Sequence, residues 1–200
     1  MQIIQCEQRT DEWYQARLGM VTSSNFSNVI SRGTGHDTYM LRVLAERLTG
    51  QMQDTYINDT MQRGIEIEPM ARDYYRQYKE CEMQEVGFVR YDDWVGGSPD
   101  GLVGEDGLIE IKCPKTTTHL SYILKNKFPA KYRAQVQGLL LITGRKWCDF
   151  VSFDPRLEDR PMWIIRVEPD RQYINELAAG IGQFVGEVKN KIEQIKSNIF

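Results

Sequence analysis

Histidine and cysteine are scarce in this 200-residue chain, which contains two and four of them respectively. Neither His36 nor His119 lies at a zinc-binding spacing from a cysteine, and the cysteines form no Cys-x-x-Cys pair. These absences argue against a structural zinc, a disulfide framework and most histidine-dependent catalytic triads, whereas reduced thiols fit a cytoplasmic protein. Catalysis by this chain is therefore expected to depend on carboxylates and lysine.

Long hydrophobic runs and an excess of positive charge are also absent. No apolar run approaches the roughly 20 residues of a membrane-spanning helix, and the polar N-terminus does not resemble a signal peptide. We therefore expect no membrane partner. Lysine and arginine total 25 against 28 acidic residues, a net charge of −3, whereas proteins that bind nucleic acid over their whole surface are usually basic. Any DNA contact is expected in a groove or tunnel, because only the local field steers a ligand.

The composition is that of a globular protein, with 41% hydrophobic and 26% charged residues. At roughly 100–200 residues per domain, the length predicts a single domain with room for a substantial core. Its parts are a helical N-terminal region (residues 1–80), a region that holds the sheet (82–167) and a C-terminal helix (170–197). A small mixed sheet with helices on its faces predicts an α/β fold.

Apolar residues recur at helical spacing in several segments. The predicted helices span residues 11–18, a short stretch that Thr22 or Ser23 caps and that carries Phe26, Val29 and Ile30, and residues 37–50, 65–79, 116–125, 130–142 and 172–196. Residues 31–35 are predicted to form a loop. Pro69 is expected in the first turn of helix 65–79 or at a kink in it, because proline lacks an N–H.

Strand character begins after residue 82. The predicted strands span residues 84–91, 108–113, 147–153 and 162–167. The glycine-rich stretch 96–101 cannot be regular structure throughout, and residues 104–107 are typical of a hairpin turn.

The most informative residues are Asp100, Glu110 and Lys112. Side chains two apart on a strand point the same way, so Glu110 and Lys112 share one face of the predicted strand. The position of Asp100 depends on the hairpin register. A five-residue loop pairs Leu102 with Leu108 and sets Asp100 opposite Glu110, whereas a two-residue turn at 106–107 offsets them by three positions.

The first register brings two carboxylates within about 5 Å of each other. Close carboxylates repel unless a cation lies between them, and hard oxygen ligands suit Mg²⁺ or Mn²⁺. The backbone carbonyl of Ile111 is a further candidate ligand, and Lys112 could hold or deprotonate an attacking water or contact a phosphate oxygen. The alternative is an exposed hairpin whose Glu110 and Lys112 side chains are merely solvated.

The segment Pro99-Asp100…Glu110-Ile111-Lys112 resembles the core motif of PD-(D/E)XK nucleases. The longer string Gly97-Ser-Pro-Asp-Gly-Leu102…Leu108-Ile-Glu-Ile-Lys-Cys-Pro114 resembles, more narrowly, the phage lambda exonuclease (YqaJ-type recombination nuclease) family. Three further segments resemble that family in the same order. They are Trp13-Tyr-Gln-Ala-Arg-Leu-Gly-Met-Val-Thr-Ser-Ser24, Arg63-Gly-Ile-Glu-Ile-Glu-Pro-Met-Ala-Arg72 and Tyr132-Arg-Ala-Gln-Val-Gln137.

The resemblance implies a restriction-endonuclease-like core and a role for each matching residue. Asp100, Glu110 and the Ile111 carbonyl would hold Mg²⁺, for which Mn²⁺ would substitute, and Lys112 would be the catalytic lysine. Two further residues complete the implied catalytic set: Glu68 near a second metal and Gln135 near the nucleophilic water. Gln135 and Gln137 cannot share a helical face, so at most one of them points into the site.

The resemblance also implies a pocket for the 5′-phosphate of a DNA end, formed by Arg17, Ser24 and Ser98. The basic segment that follows the second helix in the family is short here, and Arg32 is the candidate for its DNA-end arginine. Family members digest duplex DNA 5′ to 3′ as a ring-shaped homotrimer and work beside a single-strand annealing protein. The implied setting is a phage or prophage protein in the cytoplasm of a bacterial host.

Two alternatives remain open from the sequence. An endonuclease or flap nuclease with the same core would need no DNA end. A non-catalytic DNA-end clamp that recruits an annealing protein would keep the binding surface without turnover. The intact Asp100, Glu110 and Lys112 argue against the clamp, and the dispersed cysteines argue against an iron–sulfur nuclease.

Overall fold

A computed structural model of the protein describes residues 1–53 and 58–197. Within those residues the strands form two sheets flanked by helices. The strands are β1 (Gln2–Ile4), β2 (Val21–Thr22), β3 (Met83–Gln84), β4 (Phe88–Arg90), β5 (Val95–Gly97), β6 (Gly101–Val103), β7 (Gly107–Lys112), β8 (Trp147–Phe153) and β9 (Met162–Val167). The helices are α1 (Asp11–Arg17), α2 (Phe26–Ser31), α3 (Thr34–Thr49), α4 (Asp59–Lys79), α5 (Thr116–Lys125), α6 (Arg133–Thr143) and α7 (Arg171–Ser197), with short 3₁₀ turns at Ser23–Asn25 and Ala130–Tyr132.

The larger sheet has the strand order β3-β6-β7-β8-β9, and its central strand β7 is covered on both faces. Ile109 and Ile111 pack with Ala71 and Tyr75 of α4. Leu108 points the other way and belongs to the main apolar cluster, with residues of α6 and α7. Burial on both faces makes any charged side chain on this strand costly unless it is paired or bound.

The smaller sheet has the order β1-β4-β5-β2 and lies beside the N-terminal helices. Its strands are only two or three residues long, which is why β1, β2 and β5 produce no recognisable alternation in the sequence. The predicted strand 84–91 is wrong as a single element, since β3 belongs to the larger sheet and β4 to the smaller one. Gly87 separates them where a Cβ would meet the Cys6 sulfur at 2.2 Å, so the chain needs glycine at this approach.

Two helix boundaries also differ from the prediction. Helix α4 begins at Asp59 rather than residue 65, because the side chain of Asn58 accepts a hydrogen bond from the Met61 N–H and caps the helix there. Pro69 therefore lies inside the helix and not in its first turn. The predicted loop 31–35 is shorter, because α2 ends at Ser31 and α3 already begins at Thr34.

The β6–β7 hairpin has the register that pairs Leu102 with Leu108. This confirms the first of the two registers considered from the sequence and continues to Gly101 opposite Ile109. In the described part of the chain, no helix combines the length and the apolar character required to cross a membrane.

Candidate active site

Asp100 stands at the start of the β6–β7 hairpin, directly beside Glu110 in the register. Its N–H donates a hydrogen bond to the Ile109 carbonyl at 3.1 Å. Its Oδ2 accepts a hydrogen bond from the Ile111 N–H at 2.6 Å. The aspartate is thus held across the strand pair by its backbone and its side chain together, while its second carboxylate oxygen accepts no hydrogen bond from the residues that the structure describes.

Glu110 lies on the buried central strand and is only 1% exposed. Its Oε1 accepts two short hydrogen bonds, from Lys112 Nζ at 2.5 Å and from Gln135 Nε2 at 2.6 Å. Its Oε2 is buried and has no hydrogen-bond partner among the described residues. A buried carboxylate oxygen without a partner is energetically costly, and such a cost is typical of a site that binds a ligand.

The two carboxylates perturb each other. Burial raises the pKa of Asp100 well above its ordinary value, and the negative charges of Glu110 and Glu68 raise it further. Burial also raises the pKa of Glu110, although Lys112 and Gln135 act in the opposite direction. Such a pair is stabilised in its ionised form by a positive charge placed between its members.

Lys112 is the cation that the chain itself supplies. Burial lowers the pKa of its ammonium, but Glu110 and Asp100 outweigh that effect and raise the pKa above its ordinary value. The ammonium also lies 5.3 Å from the centre of the Tyr132 ring. In this arrangement Lys112 remains protonated, so it is placed to donate hydrogen bonds and to stabilise negative charge.

Gln135 and Gln137 point in different directions, as their spacing requires. Gln135 donates to Glu110, whereas Gln137 donates to the Glu168 carbonyl and accepts from the Asp170 N–H. Only Gln135 therefore contacts the carboxylate pair. The second glutamine fixes the chain between β9 and α7.

Glu68 approaches from helix α4, close enough that its charge acts on both Asp100 and Glu110. Each of its carboxylate oxygens is already paired with an arginine at 2.7 Å: Oε1 with Arg72 and Oε2 with Arg9. Glu68 therefore lies at the margin of the site with its own charge compensated.

The oxygen atoms around Asp100 and Glu110 are of the kind that bind a divalent cation. Asp100, Glu110 and the Ile111 carbonyl would supply oxygen ligands to such a cation, and the buried Oε2 of Glu110 has no other partner among the described residues. In the described residues no set of three or more His, Cys, Asp or Glu side chains converges on one point. Two carboxylates suit Mg²⁺, which commonly binds one or two carboxylates together with water and substrate phosphates.

Two of the residues predicted for the 5′-phosphate pocket, Arg17 and Ser98, are in contact, and Ser98 lies two residues before Asp100 in the chain. The guanidinium of Arg17 donates to Ser98 Oγ at 3.1 Å and lies 4.1 Å from the centre of the Trp13 ring. Trp13 Nε1 also donates to Ser98 Oγ, at 2.9 Å, and to the Gly87 carbonyl. Burial lowers the pKa of Arg17 to about 10, which leaves the guanidinium charged at neutral pH.

Ser24 and Arg32, predicted to join that pocket, have other contacts here. Ser24 is exposed and, among the described residues, exchanges hydrogen bonds with Thr22 and Asn25 rather than with Arg17 or Ser98. Arg32 reaches Glu187 on helix α7 at 3.5 Å. The structure thus brings Arg17 and Ser98 into contact and does not add Ser24 or Arg32 to the pair.

Sequence reasoning missed the N-terminal residues Gln8 and Arg9. Gln8 Nε2 donates to the carbonyls of Val86 and Pro99, and Arg9 pairs with Glu68. Both residues lie outside the recognised motifs, and a single sequence carries no signal that joins them to positions more than fifty residues away.

Known proteins resemble this chain in sequence and in fold. The family model of the YqaJ-like viral recombinase domain matches residues 12–146. The crystal structure of an alkaline exonuclease (LHK-Exo) from Laribacter hongkongensis is 41% identical, with a TM-score of 0.89, and the match covers 94% of this chain and 97% of that one. The same exonuclease in complex with dAMP matches equally well.

A phage-related exonuclease from Haemophilus somnus 129PT is 18% identical, with a TM-score of 0.64 over 89% of this chain and 95% of that one. At that identity the likeness concerns the fold alone. No curated protein gives a significant match to the sequence. The structural matches show the expected α/β fold of the restriction-endonuclease-like type.

Proposed function

Because this chain belongs to the family of YqaJ-like viral recombinase domains and is a DNA exonuclease, we propose that it digests linear duplex DNA from a 5′-phosphorylated end in the 5′-to-3′ direction. The product would be a duplex with a 3′ single-stranded overhang. The observation that supports this proposal best is the buried Glu110 Oε2, which has no partner among the described residues and lies beside Asp100 on an otherwise well-satisfied strand.

Asp100, Glu110 and the Ile111 carbonyl are the proposed ligands of Mg²⁺, for which Mn²⁺ would substitute. When bound, the divalent cation supplies Lewis-acid stabilisation of the charge that develops on the scissile phosphate and the leaving oxygen. The protein residues position the reacting groups around it. Gln135 is fixed on Glu110 by its amide nitrogen, and its side-chain carbonyl oxygen, which accepts no hydrogen bond from the described residues, would orient the attacking water.

Lys112 is the proposed catalytic lysine. Its raised pKa keeps the ammonium charged, so its role is to donate a hydrogen bond to a phosphate oxygen and stabilise the transition state. This differs from a general base, which would need a neutral amine near neutral pH. Glu68 contributes a nearby negative charge, and its membership in the catalytic set remains a prediction.

Arg17 and Ser98 are the proposed core of the 5′-phosphate pocket. A guanidinium and a hydroxyl in contact supply charge-assisted hydrogen bonds to a terminal phosphate dianion. Ser24 and Arg32 remain predicted members, and both would have to exchange their present partners for the phosphate. A net-acidic chain with such a pocket agrees with DNA contact that is confined to a groove.

The assembly and setting are part of the same proposal. Three copies would close a ring around the duplex and make digestion processive, and a single-strand annealing protein would receive the overhang. Both events would take place in the cytoplasm of a bacterial host. Light scattering at the concentration used for digestion measures the oligomeric state. A monomer at that concentration would contradict the proposed trimeric ring.

The direct test is digestion of one linear duplex with 5′-phosphate or 5′-hydroxyl ends, in Mg²⁺ or EDTA, beside a covalently closed circle. We expect metal-dependent loss of the phosphorylated strand from its 5′ end, slower loss from the hydroxyl end and an intact circle. Cutting of the circle would favour the endonuclease. Binding of DNA without turnover in any reaction would favour the non-catalytic end clamp.

Substitution of the lysine tests the mechanism. Lys112→Ala should lose cleavage, by on the order of 100-fold or more, while it retains DNA binding. Lys146→Ala is the matched control, because Lys146 is an exposed surface lysine whose ion pair, within the described part of the chain, is with Asp106. Full activity of Lys112→Ala would remove the lysine from the mechanism.

A further inference from the structure

A second lysine, Lys131, lies beside the proposed active site. It belongs to the 3₁₀ turn Ala130–Tyr132 that leads into α6, and the residue is exposed. Its Nζ is 4.8 Å from the centre of the Tyr132 ring, and the Nζ of Lys112 is 5.3 Å from the same ring centre. Because both distances end on one point, the two ammonium nitrogens are at most about 10 Å apart.

The position of the Tyr132 ring is fixed relative to Glu110. The ring centre lies 5.1 Å from that of Phe150, which has no exposed surface. Phe150 is the partner of Glu110 in the β7–β8 ladder, so the two side chains stand on the same face of the sheet. Three residues after Tyr132, the side chain of Gln135 donates a hydrogen bond to Glu110. The turn that carries Lys131 is therefore tied to Glu110 both through the sheet and through the helix.

Lys131 differs from the neighbouring cations in how its charge is compensated. Lys112 pairs with Glu110, and Arg133 pairs with Asp170. Lys131 forms no ion pair with any residue that the structure describes, and its ammonium lies over the aromatic ring instead. A cation–π contact leaves the N–H donors of an ammonium unused. Lys131 therefore offers both a positive charge and hydrogen-bond donors to an anion that enters the site.

We infer that Lys131 binds the DNA phosphate next to the scissile one, and that Tyr132 is a positioning residue whose ring holds Lys131 and Lys112 at a fixed spacing. The inference rests on the proposed function, since that phosphate belongs to the proposed substrate. Each strand of a duplex carries one phosphate per about 3.4 Å of helix axis, so two cations within about 10 Å of each other can act on neighbouring phosphates of one strand. Lysine is a common point-charge ligand of phosphate. In a net-acidic chain, an unpaired cation at this place also contributes to the local field that steers DNA.

The kinetic constant that changes separates this role from a structural one. A contact with a neighbouring phosphate is the same in the bound substrate and in the transition state, so loss of Lys131 raises KM and leaves kcat almost unchanged. A phosphate contact also releases counterions, and its loss reduces the slope of log affinity against log salt concentration by about 0.9. A structural role for Lys131 would instead lower Tm and kcat and would leave that slope unchanged.

The experiment compares Lys131→Ala with Lys131→Gln, a second neutral variant that keeps part of the side-chain stem, and with Lys131→Arg, which keeps the charge. Digestion of a 5′-phosphorylated duplex in Mg²⁺ gives kcat and KM, and binding of the same duplex in EDTA is measured between about 50 and 200 mM KCl. For both neutral variants we expect KM to rise on the order of tenfold, the effect of one charge-assisted hydrogen bond. The salt slope should fall by about 0.9. Lys131→Arg should stay close to the unaltered chain.

Two variants of Tyr132 test the positioning role. Tyr132→Leu removes the ring, so it should raise KM as the neutral Lys131 variants do and should also lower kcat through Lys112. Tyr132→Phe keeps the ring and should retain both constants. Lys146→Ala is the surface control, since Lys146 pairs with Asp106 at the β6–β7 turn, and it should change neither KM nor the salt slope.

The outcomes distinguish the inference from the proposed function. Unchanged KM and salt slope in both neutral variants of Lys131 overturn the inference while the proposed function stands. A fall in kcat without a change in KM overturns it too, because Lys131 would then not bind a neighbouring phosphate. Equal losses in Tyr132→Phe and Tyr132→Leu overturn the positioning role of the ring. An unaltered chain that neither binds nor digests the duplex overturns the proposed function and the inference together.

Discussion

Two sets of carboxylates lie at neighbouring strands of the larger sheet: Asp149 with Asp154, and Glu110 with the half-buried Asp100. They differ in how their oxygens are paired. Asp149 on β8 and Asp154 just after it are 1% and 0% exposed, and all four of their oxygens accept hydrogen bonds. Glu110 on β7 is equally buried, yet its Oε2 has no partner in the described structure. Glu110 and the two aspartates are equally buried, and what separates them is whether every carboxylate oxygen has a hydrogen-bond partner.

The pKa values of Asp154 and Asp100 are shifted in opposite directions. Burial alone would raise the pKa of Asp154, but hydrogen bonds from Arg156 and Thr116 lower it below its ordinary value. The pKa of Asp100 is raised by burial and by its acidic neighbours. A buried carboxylate with every oxygen satisfied stabilises the fold, whereas one that repels its neighbour and keeps an open oxygen suits a cation site.

The largest expected effect comes from Asp100→Asn, which keeps the shape and the oxygen that accepts the Ile111 N–H. We expect digestion to slow on the order of 1000-fold, since a lost cation ligand removes several kcal/mol of transition-state stabilisation. Thermal unfolding should leave Tm unchanged or raise it, because the repulsion with Glu110 disappears. A large drop in Tm would place Asp100 with the structural carboxylates.

Asp154→Asn should have the converse effect. Asp154 joins Arg63 of α4, Thr116 of α5 and Arg156 of the following loop. Breaking these buried ion pairs should lower the free energy of unfolding by about 3 kcal/mol. Urea denaturation at pH 7 measures the loss, while digestion per folded molecule, assayed well below Tm, should stay near that of the unaltered chain.

Lowering the pH should act on the two sets in opposite directions. The folded-state pKa of Asp154 is depressed, so its stabilisation is present above the unfolded-state pKa of about 4 and is lost as the pH falls through the folded-state pKa. The folded-state pKa of Asp100 is raised, so its unfavourable contribution disappears as the pH falls through that value. In urea titrations from pH 7 to pH 3, Asp100→Asn should converge on the unaltered chain from above, whereas Asp154→Asn should approach it from below only under about pH 4 and still be less stable at pH 3.

The smallest expected effect is that of Tyr75→Phe. The Tyr75 hydroxyl donates to Asp149 Oδ2 at 2.9 Å, and Arg166 continues to bond both oxygens of that aspartate. Loss of one hydrogen bond should cost about 1 kcal/mol of stability with no change in digestion. A loss of stability as large as that of Asp154→Asn would show that Arg166 does not compensate for the missing hydroxyl. Asp149 would then not count as a carboxylate whose oxygens are fully satisfied by its arginine.

Local pattern and a family resemblance were enough to find much of the site. The alternation in residues 108–113 places Glu110 and Lys112 on one face, and the structure agrees. The spacing of Gln135 and Gln137 allows only one of them into the site, and only Gln135 contacts Glu110. The sequence allows two registers for the hairpin, and the structure has the one that sets Asp100 beside Glu110.

The boundaries of helices and strands, and the contacts between residues far apart in the chain, are harder to predict from the sequence. The break between β3 and β4 depends on a close approach of Gly87 to Cys6, and the start of α4 depends on the Asn58 cap rather than on Pro69. The family resemblance makes Arg32 the candidate DNA-end arginine, whereas its side-chain contact in the described structure is with Glu187, 155 residues away. Such contacts depend on how whole elements pack, which a local pattern does not encode.

The sequence by itself determined the acidic pair, the lysine, the strand that carries two of them and the family to which the chain belongs. These features depend on residues close together in the chain, where side-chain periodicity and motif spacing determine the geometry. Only the tertiary structure decided which buried carboxylates are satisfied, and that Arg9 reaches Glu68 across 59 positions. Satisfaction of a carboxylate requires donors from several elements, so it exists only once those elements have packed together.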